Sequence, residues 1–580
     1  MAARTGTAAA TAVVLALGVA AGCGSPSEHR EVDRDGSTSR IATALQSVDA
    51  SATGPAEEIP GARRGGTLTL YAQTTPNTLD PTDTYYVDSN EIGKLLYRTP
   101  TQYDIRDGRP VLVPDLTDLG TASKDGLTWT FKLKPGIRYA DGSAVRVEDM
   151  AYAIRRSFAR DVFPNGPAYQ TSYFKDGDRY RGPYLDGADF GGVSTQGTDT
   201  LVIHLATPFP DLPYFMTFAM FTPIPEAKDT RQEYQRAPMT TGPYRIESFT
   251  AGTGLELVRN ENWDPASDPV RHQYLDRWHF RWGQDDLKTQ QQVLNSNGAD
   301  ADALNYGNID ASLIQQIPGR EPQLLQGQSP CTVAWGLDTR KIPLEVRKAI
   351  ATAWPSDAIW KAAGKNPYTA ERASTFLPPS VPGYLRYPAA PGLSGTGPGD
   401  PAAAKRMLAA AGQSGFTVSW YHDSQKPIPQ QVAQVIGTAL TAAGFTAKPV
   451  GVPTAELRAR IGDYDAPVNL GQSPRGWCSD WPTGTSWFPV LFRSRSVEQG
   501  KSWGQLQDPA LDARIDAVAA MPGDRAAAEW GAVDKEIMDR YVAIPFYYDK
   551  MAIVIGRNVG HVPGDSTMGL PFFPDMHLTD

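Results

Sequence analysis

Cysteine is scarce in this chain. There are three in 580 residues, Cys23, Cys331 and Cys478, and no C-x-x-C pattern among them. Histidine is scarce as well: the seven histidines, at 29, 204, 272, 279, 422, 561 and 577, are dispersed, and none stands in an H-E-x-x-H context. No metal-ligand spacing follows from either residue type, so these side chains read as core or surface residues, and neither metal nor cofactor is expected. Positive charge is also short, with 55 Lys+Arg against 64 Asp+Glu and a net charge of −9, which argues against a nucleic-acid binder needing a basic face. The 54 Gly and 48 Pro follow no fixed period, which excludes collagen-like and coiled-coil classes. After residue 22 no long uninterrupted apolar run occurs; the stretch 208–225 is broken by prolines and Asp211 and reads as core. What is present is a large apolar complement, 41% hydrophobic residues with 24 Tyr, 19 Phe and 13 Trp. That excludes disorder for most of the chain and predicts a core spread over two or three packing units.

The N-terminus speaks to location. Arg4 is the only charge before residue 28, residues 6–22 are uncharged and mostly apolar, and the small residues Ala20, Ala21 and Gly22 precede Cys23. This is the pattern of a secretory signal, and at 17 residues the run is marginal for a span needing about 20. A plain cleaved signal or an uncleaved anchor would fit the same residues. Ala-Ala-Gly-Cys resembles a bacterial lipobox, which implies that residues 1–22 are removed and that Cys23 becomes a lipid-modified first residue on the outer face of the cytoplasmic membrane. Cys331 and Cys478 then lie in an oxidising compartment. Their spacing fits a disulfide, worth on the order of 4–5 kcal/mol by chain entropy, as well as it fits two unrelated buried thiols.

Residues 24–65 are polar, charged and free of aromatics, and predict a flexible tether behind Cys23. Order is expected from the alternating run Gly66–Tyr71, with a second clean strand at Thr128–Leu133. Val147–Arg160 has acids in its first turn and bases in its last, as a helix dipole favours. Asp400-Pro401 and Asp508-Pro509 each open a helix with a capping acid and an N-terminal proline, and Gly412 closes the first. Residues 376–401, with seven prolines, predict a long loop on a lobe surface. Strands and helices alternate, so the class is α/β.

Catalytic motifs are weak. Gly500-Lys501-Ser502-Trp503-Gly504 has the G-x-S-x-G form, which would make Ser502 the nucleophile of a secreted hydrolase. A nucleophile elbow needs a buried strand before it, and RSRSVEQ is polar and charged. Pro398 spoils Gly395–Gly399 as a phosphate loop, and Arg495 stands where a Walker motif ending at Lys501-Ser502 needs its first glycine. The chain is therefore not expected to be an enzyme.

Four segments in order resemble extracellular solute-binding proteins of family 5, the peptide/nickel receptors of ABC importers. They are LTWTFKLKPGIRYADGSAVRVEDMAYAIRRSF (127–158); TGPYRI (241–246) with LELVRNENWDP (255–265); LDTRKIPLEVRKAIATAW (337–354) with LPPSVPGY (377–384); and GWCSDWP (476–482) followed by DPALDARID and IPFYY. Gly476-Trp477-Cys478-Ser479-Asp480-Trp481 is most similar to the oligopeptide-binding members. The resemblance implies a Cys331–Cys478 disulfide and a role for Asp480 in holding a peptide's α-amino group.

Electrostatics supports that role independently: a cationic amine removed from water needs a carboxylate, and truncating one member of such a pair costs about 2–5 kcal/mol. Trp477 and Trp481 offer flat apolar walls for a ligand side chain, and would otherwise be lobe core around a turn capped by Asp480. Tyr547 and Tyr548 would reach the ligand backbone or pack in the core. The relatives' Arg three residues before the motif Trp is here Pro474, with Arg475 one place later, which leaves the role of Arg475 open.

The implied fold is a two-lobe, type II periplasmic-binding-protein-like α/β architecture with a small domain inserted in the first lobe. Motif placement assigns 66–104, 235–330 and 549–580 to lobe I, 105–234 to the inserted domain and 331–548 to lobe II. The implied function is a monomeric receptor that closes about a hinge on a di- or oligopeptide, binds it as an added strand, and delivers it to an ABC permease. The same scaffold carrying a metal chelate, a sugar or an antibiotic-like compound is the alternative.

Overall fold

The computed structural model describes residues 47–463, 465–471, 475–498 and 501–579. The leader, Cys23, Pro474 and Gly500 lie outside these residues.

The expected alternation is present in the strand Thr67–Tyr71, where Leu68 and Leu70 are buried on one side of the pleat. It lies in a nine-stranded mixed sheet ordered Arg475–Cys478, Leu324–Gly336, Ala543–Ile555, Ala303–Asn308, Thr67–Tyr71, Arg277–Arg281, Gly254–Arg259 and Tyr244–Thr250, with Ala370–Arg372 also paired to Ala543–Ile555. Two members, Leu324–Gly336 and Ala543–Ile555, run 13 residues each and pair antiparallel, with a register shift between Gln328 and Thr332. One end of this ribbon (Leu325, Met551, Ile553 and Ile555) belongs to a core with Leu68, Trp278 and Phe573. The other end (Trp335, Ile544 and Phe546) belongs to a second core with Trp420, Trp487 and Trp530.

A third core fills the body built on the sheet Thr121–Ala122, Thr128–Lys132, Thr200–His204 and Val193–Gln196. Val147, Met150 and Ile154 press the helix Val147–Arg156 against Phe131 and Leu201. The helix stops four residues earlier than expected. Its last base, Arg156, is fully buried and pairs bidentately with Asp80 (2.6 and 2.7 Å), so it bridges bodies instead of serving the helix dipole. Asp400 and Asp508 cap their helices as anticipated, accepting from Ala403 N–H (2.8 Å) and Ala510 N–H (2.9 Å).

Two expectations are corrected. Residues 47–65 are fastened to the body: Ser47–Val48 pairs parallel with Val111 and Leu112, Ala56 N–H donates to the Asp268 carbonyl (3.0 Å), and Ile59 N–H donates to the Tyr274 hydroxyl (2.8 Å). A chain without aromatics builds no core of its own, yet its backbone can complete an existing sheet edge. The proline-rich 376–401 segment is not confined to the surface: Phe376, Leu377, Val381 and Leu393 are fully buried, and Asp534 accepts the N–H groups of Phe376 (3.1 Å) and Leu377 (2.9 Å).

Candidate functional site

The strand Arg475–Cys478 forms one edge of the large sheet and, among the described residues, pairs only with Leu324–Gly336. Cys331 and Cys478 are register partners joined by a disulfide, with Cα atoms 3.9 Å apart. Ser479 N–H then donates to the Pro330 carbonyl (3.0 Å), and the chain leaves the sheet with its next residue, Asp480.

Asp480 stands where the three bodies meet. The Tyr85 hydroxyl, from the 66–104 segment, lies 2.9 Å from both carboxylate oxygens, and the Tyr169 hydroxyl of the inserted body donates to Oδ2. Among the described residues no Lys or Arg forms an ion pair with it. Burial pushes its carboxyl up to about 6, against the opposing pull of the Tyr169 and Tyr85 hydrogen bonds and the charge of Lys501. Burial and the neighbouring carboxylate hold both phenols well above the usual tyrosine range. Neither tyrosine carries a local sequence signal; they lie 395 and 311 residues from Asp480.

Tyr85 and Tyr169 also line a cleft of about 380 Å³, together with Arg495 and Lys501. Asp480 itself borders a small cavity of about 30 Å³ with Lys94 and Gln102.

The remaining motif residues divide. Trp481 is not a ligand wall here. It is 1% exposed, its ring centroid lies 4.8 Å from that of Tyr169, 5.8 Å from Phe209 and 5.9 Å from Phe215, and its Nε1–H donates to Asp211 (2.9 Å). Thr483 donates to the same carboxylate oxygen (2.6 Å), so the loop after Asp480 is plugged into the inserted body's aromatic core. Trp477 is half-buried against the second-lobe core, with Nε1–H on the Ser486 carbonyl (3.0 Å), and Gly476 is exposed on the edge strand.

Tyr548 is 2% exposed, and its hydroxyl is taken up by Thr375 Oγ1 (2.5 Å) and by the N–H groups of Ser374 (3.2 Å) and Thr375 (3.1 Å), which removes it from ligand reach. Tyr547 is half-buried under the Lys365 ammonium, 3.8 Å from its ring centroid. Ser502 is buried, and among the described residues its Oγ has no hydrogen-bond partner, so no base stands ready to take its proton. No group of three or more His, Cys, Asp or Glu side chains able to hold a metal occurs among the described residues.

These elements make a two-lobe scaffold with an inserted body, crossed by a paired ribbon, with a partly buried carboxylate at the junction. The family model "Bacterial extracellular solute-binding proteins, family 5 Middle" matches residues 111–498, and the chain belongs to that family. The chain is similar to the di/tripeptide-binding protein 1 of Pseudomonas aeruginosa, 23% identical over 470 residues covering 77% of this chain and 82% of that protein. It is also similar to the dipeptide-binding protein of Escherichia coli, 24% identical over 448 residues covering 71% and 75%. Among solved structures, the clavulanic acid biosynthesis oligopeptide binding protein 2 superposes with a TM-score of 0.79 at 26% identity, covering 92% of this chain and all of that one. The fold is therefore the family's type II periplasmic-binding form. Among the described residues no helix is long and apolar enough to cross a membrane.

Proposed function

We propose that this protein captures short peptides outside the cytoplasmic membrane and hands them to the permease of an ABC importer, tethered by a lipid on Cys23. The observation that carries this reading is Asp480: a partly buried carboxylate at the meeting point of three bodies, hydrogen-bonded by two tyrosine hydroxyls and ion-paired with no Lys or Arg among the described residues. A peptide's α-amino group is cationic at neutral pH and supplies the missing charge. The exposed edge of Arg475–Cys478 supports the same reading, because an extended peptide can add to it as a further strand through main-chain hydrogen bonds. Ligand contacts to Asp480 on one side and to the Tyr85 and Tyr169 bodies on the other favour the closed state, and that state is what a permease recognises. The names of the peptide-binding relatives agree with this substrate class.

The test is calorimetric titration of the purified protein with a mixed tri- to pentapeptide pool, with the same pool N-acetylated, and with both pools against Asp480→Asn. Binding of the free pool that is lost on acetylation and in the variant supports an amine-reading receptor. No heat from either pool, with folded and ligand-free protein, rejects peptides as the substrate.

A further inference from the structure

Residues 47–65 form a strap fastened to the body mainly through polar contacts. Ala52 packs against the cluster of Ile105, Val111 and Phe572. Beyond that, Ser47 and Val48 pair with Val111 and Leu112, Asp49 accepts from Arg106 (2.8 Å), and Arg63 N–H donates to the Leu578 carbonyl (2.8 Å). Midway along the strap, Glu57, Glu58 and Ile59 meet His272 and Tyr274 of the body.

The His272 side chain is 10% exposed and sits between two acceptors. Its Nδ1 lies 3.1 Å from a carboxylate oxygen of Asp575, and its Nε2 lies 2.9 Å from the Glu57 carbonyl. A carbonyl and an ionised carboxylate only accept, and a neutral imidazole carries a single N–H, so both bonds require the doubly protonated ring. That ring stacks on Tyr274, with centroids 4.8 Å apart. The Tyr274 hydroxyl accepts from Ile59 N–H (2.8 Å) and donates to Glu58 (3.0 Å), so the strap is gripped at neighbouring points.

The surrounding charges favour the cation. Asp575 comes from the C-terminal segment and Glu58 from the strap, while Asp104, on the strand Thr101–Arg106, acts on Asp575. The nearby bases are engaged: Arg64 with Glu58, Arg106 with Asp49 and Asp104, and Arg271 with Asp115 and Asp268. His577 meets the edge of Tyr274, its Nδ1 2.8 Å from the Asp575 backbone carbonyl. Burial of His272 works against its charge, but Asp575, the Glu57 carbonyl and Glu58 outweigh it and hold the ring above the usual histidine range.

We propose that His272 is a pH-operated clasp: as an imidazolium it ties the strap to the body, and on losing a proton it keeps Asp575 and lets go of Glu57. The carboxylate is the stronger acceptor, so the neutral ring's one N–H stays with it. The sign follows: the strap is held in acid and loosened as pH rises through the ring's titration. On the reading of Cys23 as a lipid anchor, the clasp also sets the reach of the receptor, because the body begins at Ser47 while the strap is docked and at Gly66 once it is released.

The test is hydrogen–deuterium exchange of the purified protein from about pH 5.5 to 8.5, with the protection of the strap amides corrected at each pH for intrinsic exchange. In wild type that protection should fall roughly tenfold or more across the range, the scale of a hydrogen bond to a charged group, while Thr67–Tyr71 changes little. His272→Gln, neutral throughout, should show low strap protection with no slope. Asp575→Asn removes the charge that favours the imidazolium and should move the midpoint to lower pH; a thermal melt verifies the fold of both variants. Level strap protection in wild type, an undiminished slope in His272→Gln, or an unmoved midpoint in Asp575→Asn overturns the clasp. None of these readouts needs a lipid. Labelled fatty acid taken up by wild type in cells and not by Cys23→Ser supports the effect on reach, and no uptake overturns that effect while leaving the clasp standing.

Discussion

Trp481 ties the second lobe to the inserted body. It departs from the second lobe and is 1% exposed inside the inserted body, among Tyr169, Phe209, Phe215 and Phe218, with its indole N–H on Asp211. Truncation of a buried Trp to Ala costs about 3–5 kcal/mol. The second-lobe core does not contain Trp481, so the loss falls on the contact between bodies and not on the folding of the lobe that carries it. A shift of about 3 kcal/mol lowers the closed-to-open ratio roughly a hundredfold, and apparent ligand affinity falls with the closed fraction. Trp481→Phe keeps most of the apolar contact and loses only the Asp211 hydrogen bond, about 1 kcal/mol.

The assay is a distance measurement between labels at Leu185→Cys in the inserted body and Ile428→Cys in the second lobe, 55% and 51% exposed respectively. The Ala variant is expected to move the distance distribution outward, to need correspondingly more peptide to restore it, and to change the melting temperature of the second lobe little. The Phe variant should fall between. An unchanged distribution in Trp481→Ala, or a large drop in melting temperature without a change in distance, would refute the reasoning.

Three further outcomes follow from the site. The Asp480 carboxyl is pushed up to about 6, and an amine needs it ionised, so peptide affinity should be level near neutral pH and fall up to about tenfold per unit below pH 6, with no such slope in Asp480→Asn when titrated calorimetrically across that range. The same raised value gives the opposite sign for the ligand-free fold: its contribution to stability is fully present below the ordinary 3.8 and is lost as pH rises through 6. The Cys331–Cys478 bond spans 147 residues, so Cys331→Ser/Cys478→Ser should lower unfolding free energy in urea by about 4–5 kcal/mol and weaken peptide binding as the edge strand loosens; an unchanged midpoint would count against this.

Local chemistry was legible in the residues themselves. Asp400 and Asp508 cap because an acid before proline at a helix start has one good use, and Leu68 and Leu70 are buried because alternation leaves no other face. The family motif pointed to Asp480 and to the cysteine pairing. Its partners were not legible, because Tyr85 and Tyr169 approach it from separate bodies, hundreds of residues away, with nothing in their flanking sequence to mark them. The sequence left Trp481 and Tyr548 open between ligand and core for a related reason: an aromatic beside a motif looks the same whether it faces a ligand or another body's core, and only the tertiary arrangement decides. Residues 47–65 lacked apolar signal altogether, since what holds them is backbone hydrogen bonding to edges made elsewhere.

The paired ribbon also sets an order of events in biosynthesis. Ala543–Ile555 is an interior strand, lying between Leu324–Gly336 and Ala303–Asn308, and Phe573, Met576 and Leu578 complete the core around Leu68 and Trp278. A chain emerging from its N-terminus therefore carries strand Thr67–Tyr71 for nearly its whole length before the strands and side chains that finish that sheet exist. Until the last forty or so residues arrive, the sheet is split and its apolar faces are open, which is when a chaperone or an aggregation partner has its chance. The body that is written first is the one that closes last.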